Sequence, residues 1–387
     1  MIRYNPYYCW IFVYFHLILT DNCNLCCSYC RAKAFESDEA KTGDAEPVEI
    51  DPHLPGELAV DLPILYEFLR RDPSPSLTFY GGEPLLRLDL INSIVREAPV
   101  HRFMIQTNGL LLDRLSPDIV NRFCTILVSI DGTEALTDAN RGIGTYRKVV
   151  ENVKKIQSNG FKNEIIARMT VTEDTDIVSA VRWLSENHDQ SFTSIHWQLD
   201  ANFSGDYHGR RFADWVQSSY NPGIRTLVTE WVDYMEQHGE VLRWYPFLDP
   251  VDDLLQRKKS RLRCGSGYMN YSIMTDGHIA PCPVMAGMSR YYVGHIADAH
   301  PLQLKTIDVG GECGECSIRD FCGGRCLYSN ITRPWEIGGR RLVCKTIGNL
   351  HDALIGAIPR IQGLMEEGVI SLSDFDHEKY NGCEIIP

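Results

Sequence analysis

Thr20-Asp21-Asn22-Cys23-Asn24-Leu25-Cys26-Cys27-Ser28-Tyr29-Cys30 places four cysteines close together, directly after an apolar run from Tyr7 to Leu19. It contains Cys23-x3-Cys27-x2-Cys30. Three thiolates on one tight loop can hold three irons of a four-iron cube and leave the fourth iron open to an outside ligand. Read in another register, with Cys26 included, the same residues form two abutting Cys-x-x-Cys pairs of the kind that suit zinc, although zinc pairs normally come from separated knuckles. In the first register Cys26 is spare and is expected to pack as a small buried hydrophobe. The apolar run before the loop is too short to span a bilayer. It is no signal peptide either, because only Arg3 precedes it, His16 interrupts it and no small-residue cleavage site follows. It reads as a buried strand of a parallel sheet, where residues need not alternate.

Downstream, short apolar runs alternate with helix-like stretches. Strands are expected at Phe12–Thr20, Ser76–Tyr80, Arg102–Gln106, Ile126–Ile130, Ile165–Val171 and Ser194–Leu199. Between Tyr146 and Gly160, Val149, Val153 and Ile156 recur at helical spacing and Gly160 supplies a stop. Six such units make an α/β fold with a parallel sheet. They fall short of the eight of a closed barrel, so an open, partial (β/α)6 barrel over residues 1–215 is expected. The stretch Arg31–Pro55 reads as an insertion loop. A helical bridge over 216–262 carries the stripe Ile224, Leu227, Val228, Trp231 and Met235. A turn-rich, cysteine-rich domain over 263–345 follows, with a hairpin signal at Asp276-Gly277. Residues 346–387 form a C-terminal helix and tail; the helix is expected from Thr346 to about Glu367, kinked or interrupted by Pro359.

Composition narrows the function. A net charge of −13 argues against a general nucleic-acid binder, which needs a basic face. Fourteen cysteines in 387 residues, eleven of them in Cys23–Cys30 and Cys264–Cys344, point to metal rather than to the disulfides of a small secreted scaffold. With no other segment that looks targeted or membrane-spanning, the expected compartment is the cytoplasm and no membrane partner is expected.

The cysteine loop, behind a strand near the N-terminus, resembles the signature of the radical S-adenosylmethionine (SAM) superfamily. Tyr80-Gly81-Gly82-Glu83-Pro84 resembles the glycine-rich element that in the family meets the SAM amino group; alone it would be a turn. Gln106-Thr107-Asn108-Gly109 and Ser129-Ile130-Asp131-Gly132, with Arg141 beyond, resemble what peptide-modifying members carry at strand ends. The resemblance implies a [4Fe–4S] cluster on Cys23, Cys27 and Cys30. It also implies SAM contacts at Tyr29, Gly81, Gly82, Glu83, Pro84, Asn108, Ser129 and Arg141. Ser129 and Arg141 are the candidates for the SAM carboxylate, Arg suiting bidentate binding; the plainer readings are a helix cap and an ion pair. Arg168 and Gln198, polar on apolar strands, either line the cavity or are structural.

The C-terminal third reads Cys264, Gly277-x4-Cys282, Cys313-x2-Cys316-x5-Cys322-x3-Cys326 and Cys344. This order resembles the SPASM domain, which implies two auxiliary [4Fe–4S] clusters, and so three in all. Carried over, Cys313, Cys316, Cys322 and Cys344 ligate one, and Cys264, Cys282 and Cys326 hold the other. Fully ligated members have a further Cys soon after the first; Gly265–Ile279 has none, which leaves His278 or an open iron. The same thiolates also suit a pair of zinc ribbons.

Together the resemblances imply reductive cleavage of SAM to a 5′-deoxyadenosyl radical, with a low-potential donor of the ferredoxin or flavodoxin type. They also imply oxidation or cross-linking of a ribosomal peptide or protein side chain. Sulfatase maturases carry an acidic base right after the cysteine that matches Cys282; here Pro283 stands there. Tyr29–Lys33, Phe79–Leu86 and His196–Asp200 resemble an archaeal peptide-modifying family. Two alternatives stand beside this: a small-molecule or tetrapyrrole radical SAM dehydrogenase, and a non-catalytic iron–sulfur or zinc scaffold. The basic run Arg257–Arg263 reads as a solvated helix face or a dock for an acidic leader peptide or electron donor. No catalytic proton acceptor is assigned from sequence.

Overall fold

The computed structural model describes residues 13–30, 49–186, 191–201, 203 and 207–382. Cys9, Cys383 and most of the stretch read as an insertion loop lie outside them. The strand β1 (Tyr14–Ile18) is buried at every position because it has a parallel partner on each side, β2 (Ser76–Tyr80) and β7 (Asn270–Ile273). From β2 the sheet continues through β3 (Arg102–Thr107), β4 (Phe123–Ser129), β5 (Glu164–Val171) and β6 (Ser194–Leu199), all parallel. All six strands expected from the sequence are present. The crossovers between them carry the helices α1 (Leu62–Arg70), α2 (Leu88–Glu97), α3 (Pro117–Val120), α4 (Glu134–Arg141), α5 (Thr145–Ser158) and α6 (Ile177–Glu186). In α5 the expected stripe Val149, Val153 and Ile156 is buried.

On the other side of β1, β7 turns through Asp276-Gly277 into antiparallel β8 (His278–Ala280), which pairs with β9 (Gly294–His295). The hairpin was legible. That it completes a nine-stranded sheet, ordered β6-β5-β4-β3-β2-β1-β7-β8-β9, was not. The cysteine-rich region therefore shares the barrel's sheet, and the boundary expected at 262/263 is no break in the hydrogen-bonded layer.

The bridge holds α7 (Phe212–Trp215), α8 (Asn221–His238) and α9 (Tyr245–Leu255), and α8 buries the expected stripe. After α10 (Arg319–Cys322) and α11 (Leu327–Thr332), α12 (Ile337–Glu366) packs along α8. It starts nine residues before the expected Thr346, so Cys344 lies inside a helix and the boundary drawn at 345/346 cuts through it. Gly338 and Gly339 each cost the helix about 1 kcal/mol relative to Ala and hid the start; buried Val343 and Ile347 offset that cost by packing. The helix also runs on through Pro359 without interruption. Among the described residues no helix is long and apolar enough to cross a membrane.

The run Arg257–Arg263 follows α9 and is no helix face. Lys259 pairs with Asp320 and Arg261 with Asp308, while Arg263 turns inward. Its Nη1 lies 2.5 Å from Asp249 and 2.8 Å from Asp253, and its Nε donates to the Phe321 carbonyl at 2.8 Å. His377 and Lys379 from the C-terminal segment close on the same carboxylates. Burial alone would raise the Asp249 pKa. Arg263, His377 and Lys379 outweigh burial and hold its carboxyl well below the ordinary range. This network ties the residue before Cys264 to the residue before Cys322.

Arg263→Met, which leaves Asp249 and Asp253 with only His377 and Lys379 as cationic partners, is expected to cost about 3–5 kcal/mol of unfolding free energy in a denaturant titration. Because the folded pKa of Asp249 is depressed, its contribution is complete above the ordinary aspartate value and fades as pH falls through the folded one. A melting series from pH 7 down to pH ~3 should therefore show an acid-side loss that is smaller in Asp249→Asn.

Candidate functional site

The cysteine loop leaves the carboxyl end of β1, where parallel strands open onto a ligand crevice. Backbone contact holds its base. Gly82 N donates to the Thr20 carbonyl and Glu83 N to that of Asn22, each at 2.8 Å. A Cβ at Gly81 would sit 2.3 Å from Thr20 O, and one at Gly82 the same distance from Asn22 O. Gly81 also adopts φ +140°, where a side chain is strained. The glycines thus allow two backbones to touch, a role toward the loop that the sequence reading, fixed on a ligand, did not assign.

Side chains fix the rest of the loop. Glu57 accepts from Thr20 Oγ1 at 2.6 Å and from Asn22 Nδ2 at 2.7 Å. Asn108 Nδ2 donates to Asn24 Oδ1 at 2.7 Å and lies 3.9 Å from Cys23 Sγ. Ser28 N donates to the Asn140 carbonyl at 2.8 Å, and Tyr29 OH to Asp131 at 2.7 Å. Burial raises the Cys23 and Cys27 thiols, and Arg141 draws Cys27 back down. Cys23 and Cys30 also act on Cys27, so the three thiols share one field. Cys26 is exposed rather than buried, because the loop stands on the strand ends, off the apolar core.

Two residues read as SAM contacts have other duties. Glu83 is fully buried. Its carboxylate accepts from Leu85 N at 3.0 Å, Thr107 Oγ1 at 2.8 Å and Asn108 N at 2.7 Å. It braces the end of β2 against the end of β3, and Pro84 behind it is buried too. Arg141 is also buried, and its Nε and Nη2 form a two-pronged pair with Asp131, both at 2.9 Å. The bidentate face expected to take a SAM carboxylate is therefore occupied by Asp131. Arg141 still sits 5.4 Å from the Tyr29 ring, beside the cysteine loop. Ser129 is no helix cap; Thr133 caps α4.

Below this loop, a chamber of about 170 Å³ joins barrel and C-terminal region. The barrel contributes His16, Tyr80, Gln106, Arg168 and Gln198, and the other wall contributes Cys264, Cys282 and Cys326. Arg168 Nη2 donates to Gln198 Oε1 at 2.9 Å, so the two polar strand residues line the cavity and pair with each other. His16 was not singled out as a site residue, although it is the one polar side chain at the centre of an apolar run. Burial lowers its pKa to about 4, and its Nδ1 meets Asn270 Oδ1 at 2.9 Å. His278 is absent from this chamber; it bonds Asp276 at 2.7 Å and stacks on Tyr292. A second cavity, about 440 Å³, gathers Cys313, Cys316, Cys322 and Cys344. The seven C-terminal cysteines thus line two separate cavities, three in the chamber and four in the larger one.

A four-cysteine loop thus stands at the strand ends of a partial barrel, and a further cysteine-lined chamber lies between barrel and C-terminal region. Residues 17–184 match the Radical SAM superfamily. Pre-heme d1 synthase of Dinoroseobacter shibae is 33% identical over 342 residues, covering 79% of each chain. The solved anSMEcpe with bound AdoMet superposes with a TM-score of 0.67 at 18% identity, over 92% of this chain and 99% of that one. The same protein with AdoMet and the Cp18Cys peptide gives 0.65 at 18%, over 91% and 98%. The chain belongs to the radical SAM superfamily, and its C-terminal region is rich in cysteine.

Gly82→Ala drives a methyl into the Asn22 carbonyl, and is expected to remove most of the iron of the first site, about four atoms per chain. Gly348→Ala, with nothing within 4 Å of the added atom, serves as the control. It should keep its iron and gain up to about 1 kcal/mol of helix stability; iron assay and melting on both variants decide it.

Proposed function

We propose that this chain binds SAM at a [4Fe–4S] cluster on Cys23, Cys27 and Cys30, and carries two auxiliary clusters. In this reading it oxidises or cross-links a side chain of a ribosomal peptide or protein. The observation that carries it is the shared chamber: residues of five barrel strands face Cys264, Cys282 and Cys326 across one cavity. A substrate held there lies between the SAM site and an electron acceptor.

The residues fit the groups. Cys23, Cys27 and Cys30 would hold three irons of a cube and leave the fourth for SAM, and Cys313, Cys316, Cys322 and Cys344 would hold all four of another. Cys264, Cys282 and Cys326 would hold three irons of the cluster at the chamber. When bound, the first cluster and SAM together supply a 5′-deoxyadenosyl radical, given an electron from a ferredoxin or flavodoxin type donor. The chain's own task is placement and exclusion of water. Asn108 and Tyr29 steady the cysteine loop, and the Gly81-Gly82 backbone contributes to the SAM amino site. Ser129, with the remaining Nη1 of Arg141, serves the SAM carboxylate. Arg168 and Gln198 position the substrate.

Support for a peptide comes from the SPASM-type cysteine order and from a fold shared with an enzyme solved with peptide bound. Pro283 directly after Cys282 speaks against sulfatase maturation, since no acidic base stands there. A second reading, a tetrapyrrole substrate, is favoured by the 33% identity to a pre-heme d1 synthase over most of both chains.

Anaerobic reconstitution is expected to give about twelve irons per chain, and dithionite with SAM to yield 5′-deoxyadenosine by mass spectrometry. Cys27→Ala should abolish the deoxyadenosine and lower iron by about four atoms. Bound zinc without deoxyadenosine would return the chain to the scaffold class.

A further inference from the structure

Cys322-Gly323-Gly324-Arg325-Cys326 links the two auxiliary sites, for Cys322 lines the larger cavity and Cys326 the chamber. The three residues between them all take positive φ: +69°, +95° and +53°. Two are glycines with good reason. A Cβ at Gly323 would meet Leu262 N at 2.6 Å, and one at Gly324 would meet Val309 Cγ2 at 2.7 Å. The third is an arginine, in a left-handed conformation that strains a residue carrying a side chain.

Among the described residues, Arg325 is the one that lines both cavities. Its Nε is buried without a hydrogen-bond partner, an arrangement that costs free energy unless another group completes it. Other cationic side chains serve one side each, Arg319, Arg333 and Arg340 at the larger cavity and Arg168 at the chamber.

We propose that Arg325 is a positioning residue shared by both auxiliary sites, whose guanidinium raises the reduction potentials of the two clusters together. The inference rests on the two-cluster reading given above. Cluster potentials follow net charge and hydrogen bonds to sulfur. Reduction adds one negative charge, so a cation with free N–H groups stabilises the reduced state at each site. The strained backbone is the cost of setting that side chain between the two.

The test uses the full-length chain with Cys23, Cys27 and Cys30 replaced by Ala, which leaves about eight irons, and follows each cluster by EPR during a redox titration. Arg325→Gly suits the positive φ, so the fold is kept or stabilised while the charge is lost. It is expected to weaken reduction of both clusters about tenfold, roughly 59 mV for a one-electron couple. Arg325→Lys, which keeps the charge, should shift them less. Unchanged potentials in Arg325→Gly would make the residue merely structural and overturn the proposal, and a shift in one cluster alone would overturn the shared role. A chain that retains no iron would sink the two-cluster reading and this inference with it.

Discussion

Parallel pairing on both edges of β1 is the constraint on which the rest depends. One five-residue strand carries the cysteine loop at its carboxyl end, takes β2 on one side and accepts β7 on the other. Hydrogen-bonded strands lie about 4.8 Å apart, so the pairing fixes the spacing between the two cysteine-rich regions with no flexible linker between them. His16 sits mid-strand in that arrangement, and its bond to Asn270, the first residue of β7, ties the two sides at the floor of the chamber.

Local pattern made much of this legible. The six barrel strands follow from apolar runs, and the hairpin follows from Asp276-Gly277 between such runs. The expected division of the C-terminal cysteines rests on their order along the chain, which resembles a known domain, rather than on periodicity. What stayed hidden depends on contacts distant in sequence. Nothing near Asn270 states that its strand will lie beside residue 14, and nothing near Arg141 states that Asp131 takes its fork. Glu83 shows the same effect, since a carboxylate in a ligand-binding motif was read as facing the ligand. The orphan N–H groups of Leu85 and Asn108 claim it first. Cys26 and the start of α12 were misjudged because burial and packing decide them, and neither is local.

Buried charge is used as a clamp away from the crevice. Arg263 neighbours Cys264 in sequence and bonds the carbonyl before Cys322. One guanidinium thereby registers a thiol of the chamber against a thiol of the larger cavity. Such a pair is weak evidence of stability compared with an apolar core, but losing one partner is costly. That asymmetry suits a region of short elements whose own apolar cluster, Leu262, Met285, Met288, Val309, Leu327 and Tyr328, is small beside that of the barrel.

The order of the thiols along the chain has a topological consequence. With the proposed ligand sets, the segment between Cys282 and Cys326, both at the chamber, contains Cys313, Cys316 and Cys322 of the other site. Cys344, on the long helix, then reaches back to join those three. Held by those ligands, the two clusters would be interlaced in the manner of crossed staples, each closing a loop through the other's territory. Closing a loop removes conformational freedom from the unfolded chain, so seating either would prepare the other, and the C-terminal third would stand or fail as a unit rather than site by site.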